Sequence, residues 1–420
     1  MTATVLQGRD VAIIGAGPAG LAAALFLKRV GFEPVIYERF DEPKPVGSGL
    51  ILQPTGLAAL HAIGLLSDIV VRGNRIDRLF GADATSGRTV LDVSYGGRGN
   101  GRSGLAVHRA ALFGVLHDAV ADAGVRIVTG TEIGGLKHKG DQVELLDANG
   151  RAVGNADLAV DASGARSLLK PATSRGREVK PLAYGALWAS LKWHGEGFDP
   201  NALQQRYDKA SVMIGVLPIG SIAPESERMA AFFWSVRLAD AERLYGDGLD
   251  AWKARVANYW PECQAYLDQI NDFDQLTLAR YGHHTLRPPT GDRMAVIGDA
   301  AHSTSPQLGQ GANMALLDAA ALAHALATHS EIDAALAAYA RARRTHVRTF
   351  QWLSYALTPF YQSDSRIIPF LRDTLVATVA RVPPMPALLA AMVSGTLFDP
   401  FTPAGLVEPN WRAGNSTGRL

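Results

Sequence analysis

The sequence has a single cysteine, Cys263, in 420 residues. One thiol cannot form an intrachain disulfide or a cysteine-rich metal site, so a reducing cytoplasm is the expected setting. An excess of one charge is also missing. Lys plus Arg total 41 against 40 for Asp plus Glu, with no long run of either sign, which excludes the basic footprint of a nucleic-acid-binding protein. The longest apolar run, 11–27, is broken by three glycines and a proline. It falls short of the roughly 20 residues that a membrane-spanning helix needs. Residues 1–10 lack the basic-then-apolar pattern of a secretory signal. The adjacent His283 and His284 have no third ligand at usable spacing, so no metal site is expected. What remains is a chain that is 47% hydrophobic and 19% charged, long enough for two domains or one large α/β unit enclosing a small, weakly charged ligand.

Val11-Ala12-Ile13-Ile14 reads as a strand buried on both faces and runs into Gly15-Ala16-Gly17-Pro18-Ala19-Gly20, after which a helical pattern begins. In G-x-G-x-x-G the first glycine makes the turn, the second lets backbone approach a pyrophosphate, and the third lets helix and strand pack closely. The helix N-terminus then offers unpaired N–H groups to the phosphates. A second apolar strand, Pro34-Val35-Ile36-Tyr37, ends in Glu38 and Arg39. The Glu38 carboxylate stands where a βαβ unit presents an acid to both hydroxyls of an adenosine ribose, and it disfavours a 2′-phosphate. These residues point to a dinucleotide without saying which one. A glycine-rich turn holding no ligand is the competing reading, and the flanking strand, helix and acid weigh against it.

Far downstream, Met294-Ala295-Val296-Ile297 reads as another buried strand. It leads into Gly298-Asp299-Ala300-Ala301-His302-Ser303-Thr304-Ser305-Pro306, then Gly309-Gln310-Gly311-Ala312-Asn313 and an Ala/Leu-rich helix over 314–327. This segment resembles the signature of the para-hydroxybenzoate hydroxylase-like, FAD-dependent aromatic hydroxylases (class A flavoprotein monooxygenases). The resemblance implies that Asp299 accepts hydrogen bonds from the ribityl chain of FAD. It also implies that Gly309 and Gly311 let backbone lie against the flat ring, and that the helix starting near Ala312 and Asn313 turns its positive end toward the flavin pyrimidine. His302 has a structural place in this resemblance.

The segment 157–167 aligns with the family's third signature, with a departure. Ser163 stands where the family has Asp, Ser167 is kept, and Lys170 takes the place of an Arg. The family's Asp is tied to FAD and nicotinamide binding, and a short, uncharged Ser163 does not hold the same partners. Asp-Ala-Ser-Gly also occurs in flavin-dependent halogenases and double-bond reductases, although no Gly-Trp-x-Trp-x-Ile segment of the halogenases is present. Val107-His108-Arg109 before an apolar helix is similar to the family segment whose Arg reaches the flavin diphosphate, a role suited to the guanidinium fork. Val46-Gly47-Ser48-Gly49-Leu50 fits the loop that covers the flavin, with Gln53 and Pro54 nearby.

Between about 182 and 284 the pattern changes to short aromatic runs, 186–193, 212–218 and 229–236, which read as antiparallel strands. Tyr184, Trp188, Arg206, Tyr207, Phe233, Trp234, Tyr281, His283 and His284 are pocket candidates there. Alternation alone does not say which face looks at the flavin. The tail, 350–401, reads as helical and apolar, with Arg366, Arg372 and Arg381 along 365–382. Packing on the body or on a partner is the expected reading, and an amphipathic membrane-surface helix is the alternative.

The expectation is an α/β fold: a Rossmann-like FAD-binding domain with a GR2-type parallel sheet, an inserted antiparallel-sheet substrate domain and C-terminal helices. Residues 1–75, 98–181 and 285–345 form the discontinuous FAD domain, 76–97 and 182–284 the substrate domain, and 346–420 the helical tail. The resemblance implies a monooxygenase in which NADPH or NADH, bound transiently, reduces FAD. O2 then adds at flavin C4a, and the hydroperoxide hydroxylates or epoxidises an aromatic or polycyclic molecule. No acid–base triad or carboxylate pair is evident, as expected where the cofactor carries the chemistry. Expected cofactor contacts are Gly15, Gly17, Ala19, Gly20, Glu38, Arg39, Gly49, Arg109, Asp299, Gly309, Gly311, Ala312 and Asn313. Tyr207, Trp234, Tyr281, His283 and Pro306 are the pocket candidates carried forward. A double-bond reductase, a monooxygenase fed by an external reductase and a flavin-binding partner without turnover are the alternatives. A monomer or homodimer is expected.

Overall fold

The protein is described by a computed structural model covering residues 6–42, 47–96, 100–173, 178–365, 367–368, 372, 380 and 382–412. Its nucleotide half is a six-stranded sheet in the order Thr290–Gly291, Met294–Val296, Leu158–Asp161, Asp10–Ile14, Glu33–Tyr37, Arg126–Val128. Every pairing is parallel except that of Thr290–Gly291 with Met294–Val296. Val11, Ala12, Ile13 and Ile14 are all buried, as a parallel strand covered on both faces requires. Ala-rich helices Pro18–Arg29 and Gly311–Thr328 lie on one face with Arg109–Asp122. Their small side chains allow close helix contact. The other face is covered by the three strands Ile133–Lys139, Gln142–Asp147 and Ala152–Ala156, through Ile133, Val143 and Leu145.

The second half is a seven-stranded sheet in the order Thr277–His283, Lys180–Lys192, Met229–Arg237, Val212–Gly220, Ala202–Asp208, Arg78–Asp83, Thr89–Ser94. The strands alternate between two faces. Leu187, Ala189, Ile214, Val216, Phe232 and Trp234 point to one side, where helices Ala241–Asp247 and Leu249–Tyr259 cover them, with Trp252, Val256 and Trp260. Trp188, Leu203, Tyr207, Met213 and Phe233 point to the other. A small sheet of Gly49–Leu52, Gly104–His108 and Asn74–Ile76 joins the halves.

The stretch 241–267, outside the three expected strand runs, is largely helical, and the four-residue spacing of Trp252, Val256 and Trp260 is the signal for it. One expectation needs correction. Trp234 is on the helix-covered face, with its ring 6.4 Å from Trp252 and 6.0 Å from Tyr259. It is a core residue and not part of a pocket facing the nucleotide half. In the tail, helix Ile332–Tyr361 is followed by Met385–Val393. Of the tail's expected arginines, Arg372 is buried over the rings of Tyr207 and Tyr361. Arg366 and Arg381 lie outside the described residues.

Candidate cofactor and active site

The three fingerprint glycines divide their work as the spacing predicts. Gly15 has φ +106°, and a Cβ there would meet the Ala162 carbonyl oxygen at 2.8 Å. A Cβ on Gly20 would lie 2.0 Å from the Gly15 carbonyl oxygen, so helix and turn touch through backbone. A Cβ on Gly17 would meet nothing within 4 Å, which leaves space in front of the helix N-terminus for a phosphate. Pro18 occupies the first helical turn, where its missing N–H costs nothing. Glu38, at the end of its strand, accepts from the Ala16 N–H at 2.7 Å and the Phe40 N–H at 3.1 Å. Each carboxylate oxygen keeps a lone pair for a hydroxyl donor. Arg39 beside it is half-exposed, with its guanidinium 4.5 Å from the Phe40 ring centroid.

The second motif meets the first at Gly298, where a Cβ would crowd Ala19 at 3.1 Å and Ala315 at 3.2 Å. Asp299 is exposed at the strand end, on the side of Gly311. Behind it, Asp318 is fully buried. It accepts from the Gly298 N–H at 2.9 Å, pairs with His302 Nε2 at 2.6 Å and accepts from Arg343 Nε at 2.7 Å. Burial alone would raise its carboxyl, but the charges of His302 and Arg343 outweigh that and hold it at about 2. His302 thus braces the motif from inside and does not face the cleft. Gly309 has the left-handed φ of +59° that closes the turn Pro306–Leu308 and lets helix Gly311–Thr328 start. The first N–H groups of that helix, including those of Gly311, Ala312 and Asn313, have no partner within the helix. The Asn313 side chain is engaged within the protein. It is fully buried, accepts from the Gln53 N–H at 2.8 Å and donates to the carbonyls of Ile51 and Gly309. It clips the covering segment to the helix.

That segment is seated by a chain of side chains the sequence does not reveal. His108 caps helix Arg109–Asp122, with Nδ1 accepting from the Ala110 N–H at 3.0 Å. Its Nε2–H therefore donates to Ser190 Oγ at 3.0 Å, Ser190 donates to Ser48 Oγ at 2.9 Å, and Ser48 donates to the Ala189 carbonyl. Burial lowers the His108 pKa, with Arg109 adding to it, so the neutral tautomer persists. Gly49 presses on the second sheet, where a Cβ would come 2.5 Å from Ile219 Cγ2. Arg109 donates its own N–H to the Ser48 carbonyl, and its exposed side chain lies against Gly47, where a Cβ would come 3.1 Å from Arg109 Cδ.

On the facing sheet, Trp188 lies against Phe233 with ring centroids 4.6 Å apart, and its Nε1–H donates to Tyr281 Oη at 2.8 Å. Burial pushes the Tyr281 phenol up to about 12, so at neutral pH it is an O–H donor. Tyr207 shares this face but is fully buried beneath Tyr361, with rings 5.6 Å apart. His283 is half-buried beside Tyr355, and burial lowers its pKa. His284 is buried against Ser303 and Ala300 and is pushed down by burial to about 4. Pro306 is half-buried, and its carbonyl is taken by the Gly309 N–H.

At the third motif the acid sits two residues before Ser163. Asp161, fully buried at a strand end, accepts from the Ser163 N–H at 3.0 Å, the Ser163 hydroxyl at 2.6 Å and the Ser167 hydroxyl. Lys170 donates to the Ala165 carbonyl and feels both Asp161 and Asp299. A separate cleft of about 510 Å³ at Arg75, Arg78 and Arg102 contains none of these motifs. Its arginines pair with Asp77, Asp92 and Glu408. Among the described residues no cluster of three or more His, Cys, Asp or Glu is placed to hold a metal.

An open phosphate space, an acid at the ribose position, an exposed acid at the ribityl position and a helix N-terminus beyond it all fit an extended flavin dinucleotide. The FAD binding domain model matches residues 9–351, and the chain belongs to this family of FAD-dependent aromatic hydroxylases. It is an FAD-dependent monooxygenase-class oxidoreductase. Among its relatives, 2-heptyl-3-hydroxy-4(1H)-quinolone synthase of Pseudomonas aeruginosa is 31% identical over 388 residues, covering 88% of this chain and 94% of the relative. The FAD-dependent urate hydroxylase of Mycolicibacterium vanbaalenii is 28% identical over 341 residues, 79% and 84% of the two chains. The fold is that of 2-methyl-3-hydroxypyridine-5-carboxylic acid oxygenase, with TM-score 0.76, 21% identity and 96% and 99% of the two chains covered.

Proposed function

We propose that the protein takes electrons from NADPH or NADH and uses O2 to hydroxylate or epoxidise an apolar aromatic or polycyclic small molecule. The balanced hydroxylation converts a substrate C–H, O2, NAD(P)H and a proton to C–OH, water and NAD(P)+. The observation that carries this reading is the sheet face opposite the cofactor cradle. It offers flat rings at Trp188 and Phe233, aliphatic Leu203 and Met213, and the phenolic O–H of Tyr281. Bound flavin supplies the electron relay and the activation of O2. The protein's own work is to stack the substrate ring, hold a substrate oxygen at the Tyr281 O–H, and keep water out. In this reading Gly17, Glu38, Arg109, Asp299 and the N–H groups from Gly311 onward hold FAD. Residues 76–97 and 182–284 form the substrate side, 1–75, 98–181 and 285–345 the cofactor side, and 346–420 the tail. We place the enzyme in the cytoplasm, as a monomer or homodimer.

The test is anaerobic flavin reduction by NADPH and by NADH, each with and without phenols, quinolones and polycyclic quinols. Reduction that a panel member accelerates, followed by its hydroxylation in air, supports the proposal. No reduction by either nucleotide would overturn it. Ser163 favours a second reading, electron supply by an external reductase, because its hydroxyl is occupied by Asp161 rather than open to a nicotinamide. That reading predicts hydroxylation only when a separate flavin reductase is added. A double-bond reductase would instead turn over an alkene without O2.

A further inference from the structure

We propose that the outer face of helix Ile332–Tyr361 is a docking surface for an anionic lipid bilayer. Arg341, Arg344, Arg348, Trp352 and Tyr355 are all exposed. Their spacing of three and four residues places them in one stripe about 21 Å long. Trp352 is 66% and Tyr355 72% exposed, unusual values for large aromatic side chains on a helix that buries its other face. No hydrogen bond or ion pair engages Arg341, Arg344 or Arg348 among the described residues. The sequence has no Asp or Glu from 334 to 363, so the helix itself offers the stripe no counter-charge. The fourth arginine of the stretch, Arg343, differs in kind: it is buried on Asp318.

Arginines beside Trp and Tyr, with more apolar surface nearby, match the composition of a helix lying at a membrane interface. The cations meet lipid phosphates, and the amphipathic rings sit at headgroup level. The added apolar surface includes Leu388, 45% exposed. Leu388 belongs to helix Met385–Val393, whose Met392 packs in one cluster with Leu353 and Leu357 of the long helix. A second copy of the chain fits less well, because a two-fold contact centred on the stripe supplies no carboxylate from it to pair with the arginines. The stripe also adjoins the sheet that bears Trp188 and Tyr281, since Tyr355 contacts His283 at the end of strand Thr277–His283 with ring centroids 6.3 Å apart. A docked enzyme would thus receive a lipophilic substrate beside its own sheet face.

The experiment is sedimentation of the flavin-loaded full-length protein with vesicles of phosphatidylcholine alone and of phosphatidylcholine mixed with phosphatidylglycerol, at low and high salt. The expected result is binding to the mixed vesicles that weakens with salt. Replacing all three arginines (Arg341→Gln, Arg344→Gln, Arg348→Gln) should weaken that binding about 100-fold. Trp352→Ser should remove the part that persists at high salt. Retained flavin absorbance in both variants shows that they fold. Equal sedimentation with and without the anionic lipid would overturn the proposal. So would light scattering that shows a dimer broken by either variant, which would assign the face to a second copy. Neither measurement depends on which substrate the enzyme takes.

Discussion

In the proposed function, the nucleotide half and the substrate half present different atoms to their ligands. Around Gly15, Gly17, Gly20, Gly298 and Gly309 the working surface is backbone: N–H groups at two helix starts, turns that a Cβ would close, and two exposed or half-engaged acids. Across the cleft the working surface is side chain, the rings of Trp188, Phe233 and Tyr281 on one face of an antiparallel sheet. A backbone site tolerates almost no change in residue type at its turns, whereas a side-chain site can change its ligand without changing its fold. On the proposed reading, the first half would fix the cofactor and the second would be free to set the substrate.

The comparison breaks most sharply at the glycines. Gly20→Ala would force a Cβ against the Gly15 carbonyl oxygen, which is backbone and cannot rotate away. A loss of several kcal/mol is expected, read as a large drop in Tm of the flavin-free protein. Gly17→Ala meets nothing in the protein, so its flavin-free Tm should stay near that of the parent while FAD affinity falls. If both variants lose stability alike, the open space at Gly17 is not a phosphate site.

Neighbouring residues on one strand give the next contrast. Trp234→Ala removes a ring packed among Trp252 and Tyr259 and should cost about 3–5 kcal/mol of stability with little change in KM. Phe233→Ala faces the other way, against Trp188. It should shift KM and the range of accepted aromatic substrates more than a core deletion does. Equal effects on KM would show that the chamber is not on that face.

Those two residues also show what the sequence can and cannot disclose. The cofactor half is legible because its chemistry needs glycine, proline and acid at fixed offsets, and those residues leave a written pattern in 15–20, at 38 and in 298–313. The expected α/β class and parallel strands follow from that same pattern. Trp234 is carried forward as a pocket candidate and its neighbour Phe233 is not, because period-two alternation names two faces without saying which one meets the flavin. Helices 241–267 settle it, and their packing depends on contacts distant in sequence. Asn313 and His108 are legible as motif members, but their buried hydrogen bonds to Gln53 and Ser190 are not. Asp161 is visible as the first residue of Asp-Ala-Ser-Gly, but nothing local says that its carboxylate will hold Ser163 and Ser167.

A pH titration tests two buried histidines, His284 behind the second motif and His346 on helix Ile332–Tyr361, whose Nε2 lies 3.0 Å from the Gly395 carbonyl oxygen. Burial holds His284 at about 4 and His346 at about 3 in the folded protein, below the ordinary value near 6.5. A folded pKa below the unfolded one means that the unfolded chain takes up protons first. The stabilisation is therefore full above about pH 6.5 and is lost as pH falls toward 4 and then 3. The expected loss is on the order of a few kcal/mol across that window, measured by denaturant unfolding. His284→Gln should flatten the upper part of the slope. A slope unchanged in that variant would remove His284 as its source.

The smallest expected effect concerns the Tyr281 hydroxyl on the substrate face. Tyr281 Oη accepts from Trp188 at 2.8 Å, which leaves its own proton to donate, and its pKa of about 12 keeps that proton in place through the working pH range. Tyr281→Phe preserves the ring and removes only the hydroxyl. If that hydroxyl holds a substrate oxygen, the loss is one hydrogen bond, about 1 kcal/mol or roughly five-fold in kcat/KM. Part of it should appear as reducing equivalents consumed without hydroxylated product, because a mobile ring is presented less often to the flavin. Trp188 loses its acceptor in the same variant, so Trp188→Phe is the control. Should Trp188→Phe reproduce the whole defect, the Trp188–Tyr281 bond orders the wall, and the polar contact to substrate belongs to the flavin side of the cleft.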